Sequence, residues 1–210
     1  MNARELIQRQ RALAGQVIVD DQLPEVITRV AGVDVAFPNG GRTTRAAAVL
    51  MSFPDLVLID EAVVEQATVL PYIPGLLSFR ELPAILAALA RLPGPDLVLC
   101  DGQGLAHPRR FGVACQLGVE TGLPAIGVGK SRLCGQHDEP ALARGASSAL
   151  MDGAERIGTV LRTRQGVRPI YVSIGHRIDL ERACEVVLAC APRFRLPEPI
   201  RRADRLAGTR

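Results

Sequence analysis

Residues 95–110, with the sequence PDLVLCDGQGLAHPRR, constrain the fold more than any other stretch of the chain. The apolar run at 97–100 is typical of a strand that is buried on both faces of a sheet. The run ends at Asp101, and Gly102 and Gly104 then allow the backbone to turn sharply and to approach a ligand closely. Such a carboxylate, at the carboxyl end of a buried strand, is where α/β proteins place ligand and metal chemistry. The alternative is that Asp101 only caps the turn or the next helix.

The elements before and after this stretch follow from hydrophobic periodicity and turn residues. An amphipathic helix is predicted at 2–15. The first strand, predicted at 30–37, contains a carboxylate, Asp34, among apolar residues. A helix at 79–91 is predicted to begin with Ser78 as its cap and Glu81 in its first turn, as in an S-x-x-E capping box. The remaining predictions up to residue 128 are strands at 30–37, 45–52 and 56–68, then the 97–101 strand, a helix at 111–121 and a strand at 125–128.

The last third of the chain is less regular. Residues 134–153 are polar and weakly patterned, which predicts a surface insertion or a mobile loop. Strands at 158–164 and 169–173 are predicted to form a hairpin. Asp179 is a good N-cap for a helix at 180–190, and a short helix is expected at 200–206.

This order of elements is an antiparallel meander, a helix, and then a parallel strand–helix–strand unit, which is the connectivity of ribonuclease H-like nucleases. We therefore predict an α/β, ribonuclease H-like fold with a central mixed sheet flanked by helices. In such a sheet the first and fourth strands are neighbours, so Asp34 and Asp101 would face each other. Two buried carboxylates that lie close together are costly unless a cation sits between them, and hard oxygen ligands suit Mg²⁺ or Mn²⁺. With Glu81 and Asp204 added, the set has enough oxygen ligands for two ions.

Composition narrows the remaining possibilities. The 210 residues suit one domain, which we place at 1–210, and no apolar run approaches the roughly 20 residues that a membrane span needs. The five cysteines are scattered and form no C-x-x-C pair. This indicates reduced thiols in a cytoplasmic protein and argues against a zinc site.

The positive charge is carried almost entirely by arginine. Lys130 is the single lysine of the chain, although lysine and arginine together number 25. A compact ammonium suits contact with a phosphate or a nucleophilic water, so Lys130 is a candidate site residue, unless its singularity is chance. The arginines cluster at 109–110, 162–168 and 193–205, which predicts a phosphate-binding face or simply a solvated surface.

Six motifs in this order resemble the endonuclease V family of deoxyinosine 3′-endonucleases. The resemblance runs over roughly residues 5–206. The motifs are GVDVAF at 32–37, PYIPGLLSFRE at 71–81, DGQGLAHPR at 101–109, GVGKS at 127–131, VSIGHRIDL at 172–180 and LPEPIRRAD at 196–204.

The resemblance implies a deoxyribonuclease V, a phosphodiester-hydrolysing endonuclease of DNA repair. It implies that the enzyme depends on Mg²⁺, with Mn²⁺ as a substitute, and recognises hypoxanthine, the product of adenine deamination. Members of the family nick the second phosphodiester bond 3′ to the lesion. The expected partner is deoxyinosine-containing DNA, and inosine in RNA remains an alternative substrate. We expect a monomer that has no membrane association.

The resemblance also assigns roles to individual residues. It implies that Asp34 and Asp101 bind metal, that Glu81 is a further catalytic acid, and that Asp204 occupies the family's terminal ligand position. Lys130 completes the expected catalytic set by holding the nucleophilic water or the phosphate.

The family's wedge, the loop that fills the space of an extruded base, maps onto Tyr72, and Ile73 beside it is expected to contact DNA as well. The alternative is a proline-fixed loop that packs on its own domain. His107 and Arg109 are expected to contact DNA, although His107 has an ordinary loop hydrogen bond as its alternative.

Recognition of hypoxanthine needs a backbone N–H that faces the base carbonyl, where adenine would present an amine. We expect Gly102, Gly104 and Gly127 to form that lesion pocket. Two rivals to the main hypothesis remain, namely an inosine-specific ribonuclease and a non-catalytic nucleic-acid-binding module of the same fold. The convergence of four acids argues against the second rival, because anions without a metal would repel phosphate.

Overall fold

A mixed sheet forms the centre of the protein in the computed structural model, which describes residues 2–208. The described residues form eight strands and five α-helices. In chain order they are α1 (Ala3–Ala14), β1 (Arg29–Ala36), β2 (Thr43–Ser52), β3 (Leu58–Ala67), α2 (Leu77–Leu89), β4 (Leu97–Asp101), α3 (Val113–Thr121), β5 (Ala125–Gly129), β6 (Ser147–Asp152), β7 (Glu155–Leu161), β8 (Ile170–His176), α4 (Leu180–Ala189) and α5 (Glu198–Gly208).

The strand order is β3-β2-β1-β4-β5-β8-β7-β6. Strands β1, β4 and β5 run parallel to one another, and all other neighbouring pairs are antiparallel. The first and fourth strands are therefore neighbours, which confirms the predicted ribonuclease H-like arrangement.

The two faces of the sheet are covered by different helices. Apolar residues of α4 and α5 form one core cluster with alternate residues of the strands, including Leu97 and Leu99. Residues of α2 and α3 form the other cluster, with Val98 and Cys100. Because side chains alternate along a strand, Asp101 points to the same face as Leu97 and Leu99, which is the face that α5 covers.

A glycine in β1 allows α5 to lie directly on the sheet. A Cβ atom at Gly32 would lie 2.2 Å from the backbone carbon of Pro199 at the start of α5. Any larger residue at position 32 would therefore push the helix away from the strand. Asp34 is two residues further along β1, so its side chain also faces α5.

The structure corrects two predictions about local elements. Helix α2 begins at Leu77 and has no side-chain cap, so Ser78 lies inside the helix and Glu81 lies beyond its first turn. Residues 134–153 are not simply a loop, because β6 lies within them and pairs with β7. The strand escaped prediction because it is at the edge of the sheet, where exposed polar residues such as Ser147 and Asp152 hide the apolar alternation.

Two further predictions about local structure are confirmed. Asp179 caps α4 by accepting a hydrogen bond from the Arg182 amide at 2.7 Å, and β7 and β8 form the expected antiparallel pair. All five cysteines are unpaired thiols. No helix within residues 2–208 combines the length and the apolar character needed to cross a bilayer.

Candidate active site

Three carboxylates from distant parts of the chain meet at the carboxyl ends of β1 and β4. The parallel register places Val33 beside Cys100, so the next residues along, Asp34 and Asp101, are also neighbours. Asp204 reaches the same point from α5, which can pack directly on β1 because residue 32 is a glycine. One carboxylate oxygen from each of these three aspartates lies within 4.8 Å of the other two.

The ammonium group of the chain's single lysine lies among these carboxylates. Lys130 follows directly after β5, and its Nζ lies 2.5 Å from Oδ2 of Asp101 and 2.8 Å from Oδ1 of Asp204. Burial by itself lowers the pKa of Lys130, but the hydrogen bonds with both aspartates outweigh it and raise the pKa above its ordinary value. Lys130 therefore carries its charge at all relevant pH values.

The pKa values of the three clustered aspartates are shifted in different directions. Burial, followed by the charge of Asp101, raises the pKa of Asp34 to about 8. Burial also raises the pKa of Asp101, although the bond from Lys130 opposes it. The pKa of the more exposed Asp204 is lowered, chiefly by its hydrogen bond with Lys130. The ionised forms of Asp34 and Asp101 are thus disfavoured even with Lys130 beside them.

This arrangement fits a divalent cation. The ligand atoms are hard carboxylate oxygens, which Mg²⁺ and Mn²⁺ prefer, and they come from three rigid elements. Burial and then the charge of Asp101 raise the pKa of Asp34, and a bound cation would favour the ionised carboxylate against both. Glu81 is not one of the three clustered acids, but it lies near enough to Asp101 for that charge, after burial, to help raise its pKa to about 8.

A cavity of about 310 Å³ opens beside Asp101 and Glu81. Tyr72 lies at its rim with 65% of its surface exposed, and Lys130 borders its other side. This volume is at the lower end of the range for small-ligand pockets, which suits a single flat group better than an extended ligand. The glycines that line it are Gly75, Gly102, Gly112 and Gly129.

Two of the three glycines predicted for a lesion pocket lie behind this cavity. The Gly104 amide donates to Oγ of Ser173 at 2.8 Å, and a Cβ at Gly127 would lie 2.3 Å from the Gly104 nitrogen. Gly104 and Gly127 are therefore needed for close packing of the backbone, and neither lines the cavity. Gly102 does line it, but its amide donates to the Val128 carbonyl at 3.1 Å.

The loop that carries Tyr72 is divided between exposure and burial. We call residues 71–75 the wedge loop. Tyr72 is exposed, whereas Ile73 packs against an apolar cluster of Leu6, Leu76 and Phe79. Ile73 thus anchors the loop in this structure, and its contact with DNA stays a prediction.

The predicted DNA contacts His107 and Arg109 are largely engaged within the protein. His107 lines the cavity but is 4% exposed, and its Nδ1 accepts a hydrogen bond from the Arg109 amide at 3.1 Å. Arg109 donates from Nη2 to the Gly75 carbonyl at 2.6 Å. His107 therefore forms part of the cavity wall, and Arg109 holds Gly75, another residue of that wall.

Two buried glutamines were not predicted as site residues. Gln103 crosses Gly129 and donates from Nε2 to the Ser131 carbonyl at 3.0 Å, which fixes the segment that carries Lys130. Arg195 donates to the Lys130 carbonyl at 2.5 Å and restrains the same segment. The second glutamine, Gln10 of α1, contacts the wedge loop. The sequence signal for Gln103 was its position inside the glycine-rich turn. For Gln10 the sequence offered only its position on a predicted helix.

The burial of His107 predicts a dependence of stability on pH. Burial, followed by the charge of Arg109, lowers the pKa of His107 from 6.5 to about 4. The unfolded chain then binds more protons between these values, so stability is complete above pH 6.5 and is lost as the pH falls towards 4. As the pH falls from 6.5 to 4, we expect the free energy of unfolding of His107→Gln to decrease less than that of the parent, by on the order of 2–3 kcal/mol.

The measurement is the free energy of unfolding in denaturant at several pH values between 4 and 7. His137→Gln is the control, because His137 lies in a half-exposed position near the edge of the sheet. An identical pH dependence in His107→Gln and in the parent protein would contradict the prediction.

Comparison with known proteins places this site in a family. A sequence model of endonuclease V matches residues 11–205. An endonuclease V of Alkalilimnicola ehrlichii is 59% identical over 182 residues, which are 86% of this chain and 80% of that protein. The crystal structure of the Streptomyces avermitilis endonuclease V superposes with a TM-score of 0.93 at 47% identity, covering 98% of this chain and 91% of that one.

A more distant relative has been solved with nucleic acid. It is the endonuclease V of Ciona intestinalis in complex with a 24mer DNA that contains an inosine followed by a ribo-adenosine. The TM-score is 0.84 at 25% identity, and the match covers 97% of this chain and 95% of that one. On these matches and on the order of its motifs, the chain belongs to the endonuclease V family of nucleases.

Proposed function

We propose that this endonuclease is a Mg²⁺-dependent DNA repair enzyme that recognises deoxyinosine and nicks the second phosphodiester bond 3′ to the lesion. One observation carries the proposal, namely the convergence of Asp34, Asp101 and Asp204 beside a small cavity that has an exposed aromatic ring at its rim. A cation site and a base-sized cavity side by side are what such a reaction needs.

Asp34, Asp101 and Asp204 would hold the metal. The chemistry that a divalent ion supplies when bound is neutralisation of the charge that develops on the phosphate during in-line displacement. The remaining tasks fall to the chain itself. Lys130 orients Asp101 and Asp204 through its two short bonds, and as a compact cation at the cavity edge it attracts a phosphate oxygen. Glu81 supplies a further acid on the cavity side of Asp101.

The cavity is proposed to receive the extruded base. Its glycine-lined walls bring backbone close to a flat ring, and buried His107 excludes water from one side. Because burial lowers its pKa to about 4, His107 is neutral at physiological pH and offers no charge to the base. Exposed Tyr72 is placed to occupy the space that the base leaves in the stack.

Tyr72→Ala is expected to weaken binding of inosine-containing duplex about 10- to 100-fold, because stacking of an aromatic side chain on a base contributes about 1–3 kcal/mol. The single-turnover rate at saturating enzyme should change much less, since Tyr72 is not one of the three clustered aspartates. The measurements are fluorescence anisotropy titration in Ca²⁺ and rapid-quench nicking in Mg²⁺. Tyr72→Phe, which keeps the ring, is the control. Equal affinity of the parent and the alanine variant for the duplex would contradict the proposed role of Tyr72.

Sugar preference is tested by a matched set of four substrates. The duplexes contain inosine or adenosine, each in DNA and in RNA, and are incubated with Mg²⁺, with Mn²⁺ and with EDTA. We expect nicking of the inosine DNA alone and only with a divalent ion, at the second phosphodiester bond 3′ to the lesion. Stronger cleavage of inosine RNA would favour the ribonuclease alternative, for which the ribo-adenosine in the complex of the Ciona intestinalis relative is the supporting observation.

A further inference from the structure

One glutamine of the N-terminal helix is completely buried. Gln10 of α1 has none of its surface exposed, while Gln8 and Arg9 beside it are exposed. A buried amide is costly unless its donors and its acceptor find partners. The partners of Gln10 therefore indicate why α1 carries a polar residue on its inner face.

Gln10 bonds to two segments that border the cavity. Its Nε2 donates to the Gly75 carbonyl at 3.1 Å and to the Phe111 carbonyl at 2.7 Å. Gly75 ends the wedge loop, Phe111 precedes Gly112, and both glycines line the cavity. One side-chain amide therefore uses its two N–H groups to fix the distance between two loops that are far apart in sequence.

Arg109 completes this arrangement. Oε1 of Gln10 accepts a hydrogen bond from Nε of Arg109 at 2.5 Å, and Nη2 of Arg109 donates to the Gly75 carbonyl at 2.6 Å. Gly75 has a φ of 75°, and a Cβ there would lie 2.5 Å from Nη2. Glycine is therefore required for both the backbone conformation and the close approach of the guanidinium. We call Gln10, Arg109 and the Gly75 carbonyl the clasp.

Apolar packing supports the wedge loop from the same helix. Leu6 lies one turn before Gln10 on α1 and is 1% exposed. It belongs to the cluster against which Ile73 packs. Helix α1 thus holds the wedge loop at the Gly75 carbonyl and at the Ile73 side chain. Tyr72 is left exposed in the same loop.

We propose that Gln10 is a positioning residue that acts through the clasp to hold the wedge loop and the cavity segment at residues 111–112 in the geometry that receives the lesion. The inference rests on the proposed function, because it assigns Gln10 a part in lesion binding. A loop that is ordered before DNA arrives loses less conformational entropy on binding. The N-terminal helix, which contributes no acid to the metal site, therefore sets affinity for the lesion.

The first test compares Gln10→Leu with Gln8→Leu, which makes the same change at an exposed position of the same helix. We expect Gln10→Leu to bind inosine duplex about tenfold more weakly, with a much smaller change in the single-turnover rate of the saturated complex, and Gln8→Leu to match the parent. The penalty should largely disappear when both variants are made in a Tyr72→Ala background, because positions that act through one element are not additive. An equal penalty in the two backgrounds would overturn the proposal.

The second test needs no DNA. The chain has two tyrosines, Tyr72 and Tyr171, so incorporation of 3-fluorotyrosine gives two ¹⁹F resonances that substitution of either residue assigns. In Gln10→Leu we expect the Tyr72 resonance to shift and to narrow as the loop is released, while that of Tyr171 stays in place. An unchanged Tyr72 resonance would overturn the clasp.

Gln10→Glu guards against a folding defect in the leucine variant. It keeps an oxygen acceptor for Arg109 but turns a carboxylate towards the carbonyls of Gly75 and Phe111, so the same ¹⁹F changes are expected. Thermal unfolding of each variant identifies those that are folded. If the parent protein does not nick inosine DNA, the proposed function fails, whereas the ¹⁹F comparison still decides whether the clasp holds the loop.

Discussion

Asp34→Asn is expected to lower single-turnover nicking of inosine DNA by about a thousandfold, because removal of a ligand forfeits several kcal/mol of charge stabilisation at the phosphate. Asp34 is one of three acids whose oxygens lie within 4.8 Å of one another, and asparagine replaces an anionic ligand by a neutral one. Asp101→Asn should have an effect of the same size. Retention of the parent rate in Mg²⁺ would end the assignment of the metal site.

The same substitution should stabilise the metal-free protein. The pKa of Asp34 is raised from 3.8 to about 8 by burial and then by Asp101, so the folded protein binds more protons than the unfolded chain between these values. The parent therefore loses stability from Asp34 as the pH rises from about 4 to 8. We expect Asp34→Asn in EDTA to be more stable by about 1–3 kcal/mol at pH 8, with little difference near pH 4.

The measurements are rapid-quench nicking and denaturant unfolding with EDTA or with Mg²⁺. Mg²⁺ should stabilise the parent and have little effect on Asp34→Asn, because ligand binding to the folded state raises stability. Asp60→Asn is the control, since Asp60 lies on β3 at the far edge of the sheet and outside the cluster. An Asp34→Asn protein that is less stable than the parent in EDTA at pH 8 would contradict the electrostatic argument.

Lys130→Arg is expected to lower the single-turnover rate about 10- to 100-fold although the charge is kept, because hydrogen bonds to charged groups contribute about 1.5–3 kcal/mol. The ammonium of Lys130 lies 2.5 Å from Asp101 and 2.8 Å from Asp204, a space that suits one nitrogen atom. A planar guanidinium is larger and spreads its donors over a fork. It would displace the two carboxylates from each other.

Lys130→Met tests the charge separately from the shape. It should be at least as slow as the arginine variant, because Asp101 and Asp204 then lose the cation between them. Arg132→Lys is the control, since Arg132 also borders the cavity but is exposed and belongs to none of the ion pairs with the aspartates. Full activity of Lys130→Arg would mean that the single lysine of the chain is an accident of composition.

The sequence predicted the parts of the fold that local pattern encodes. Hydrophobic periodicity predicts buried strands and helices, and glycine, proline and capping residues predict turns and helix ends. The first and fourth strands were therefore recognisable, and their neighbouring positions in a ribonuclease H-like sheet predicted that Asp34 and Asp101 face each other. Strand β6 escaped for the opposite reason, since an edge strand that is partly exposed has no clear alternation.

Roles that depend on contacts across the chain were harder to predict. Arg109 and His107 lie in a basic, exposed-looking motif, yet the fold turns both inward against Gly75 and the cavity wall. Gly104 and Gly127 lie in glycine-rich turns, yet they are needed where two backbones approach each other. Whether a glycine amide faces a ligand or a neighbouring strand depends on packing, which no local pattern records.

The sequence alone determined which residues are candidates for the chemistry, because carboxylates after buried strands and a solitary lysine are visible without coordinates. Only the tertiary structure decided how they are held. Gln10 lies 65 residues from Gly75 and 101 from Phe111 along the chain, and its amide reaches both carbonyls. Hydrogen bonds between segments this far apart arise when helices pack on a sheet, so their partners follow from the whole fold and not from neighbouring residues.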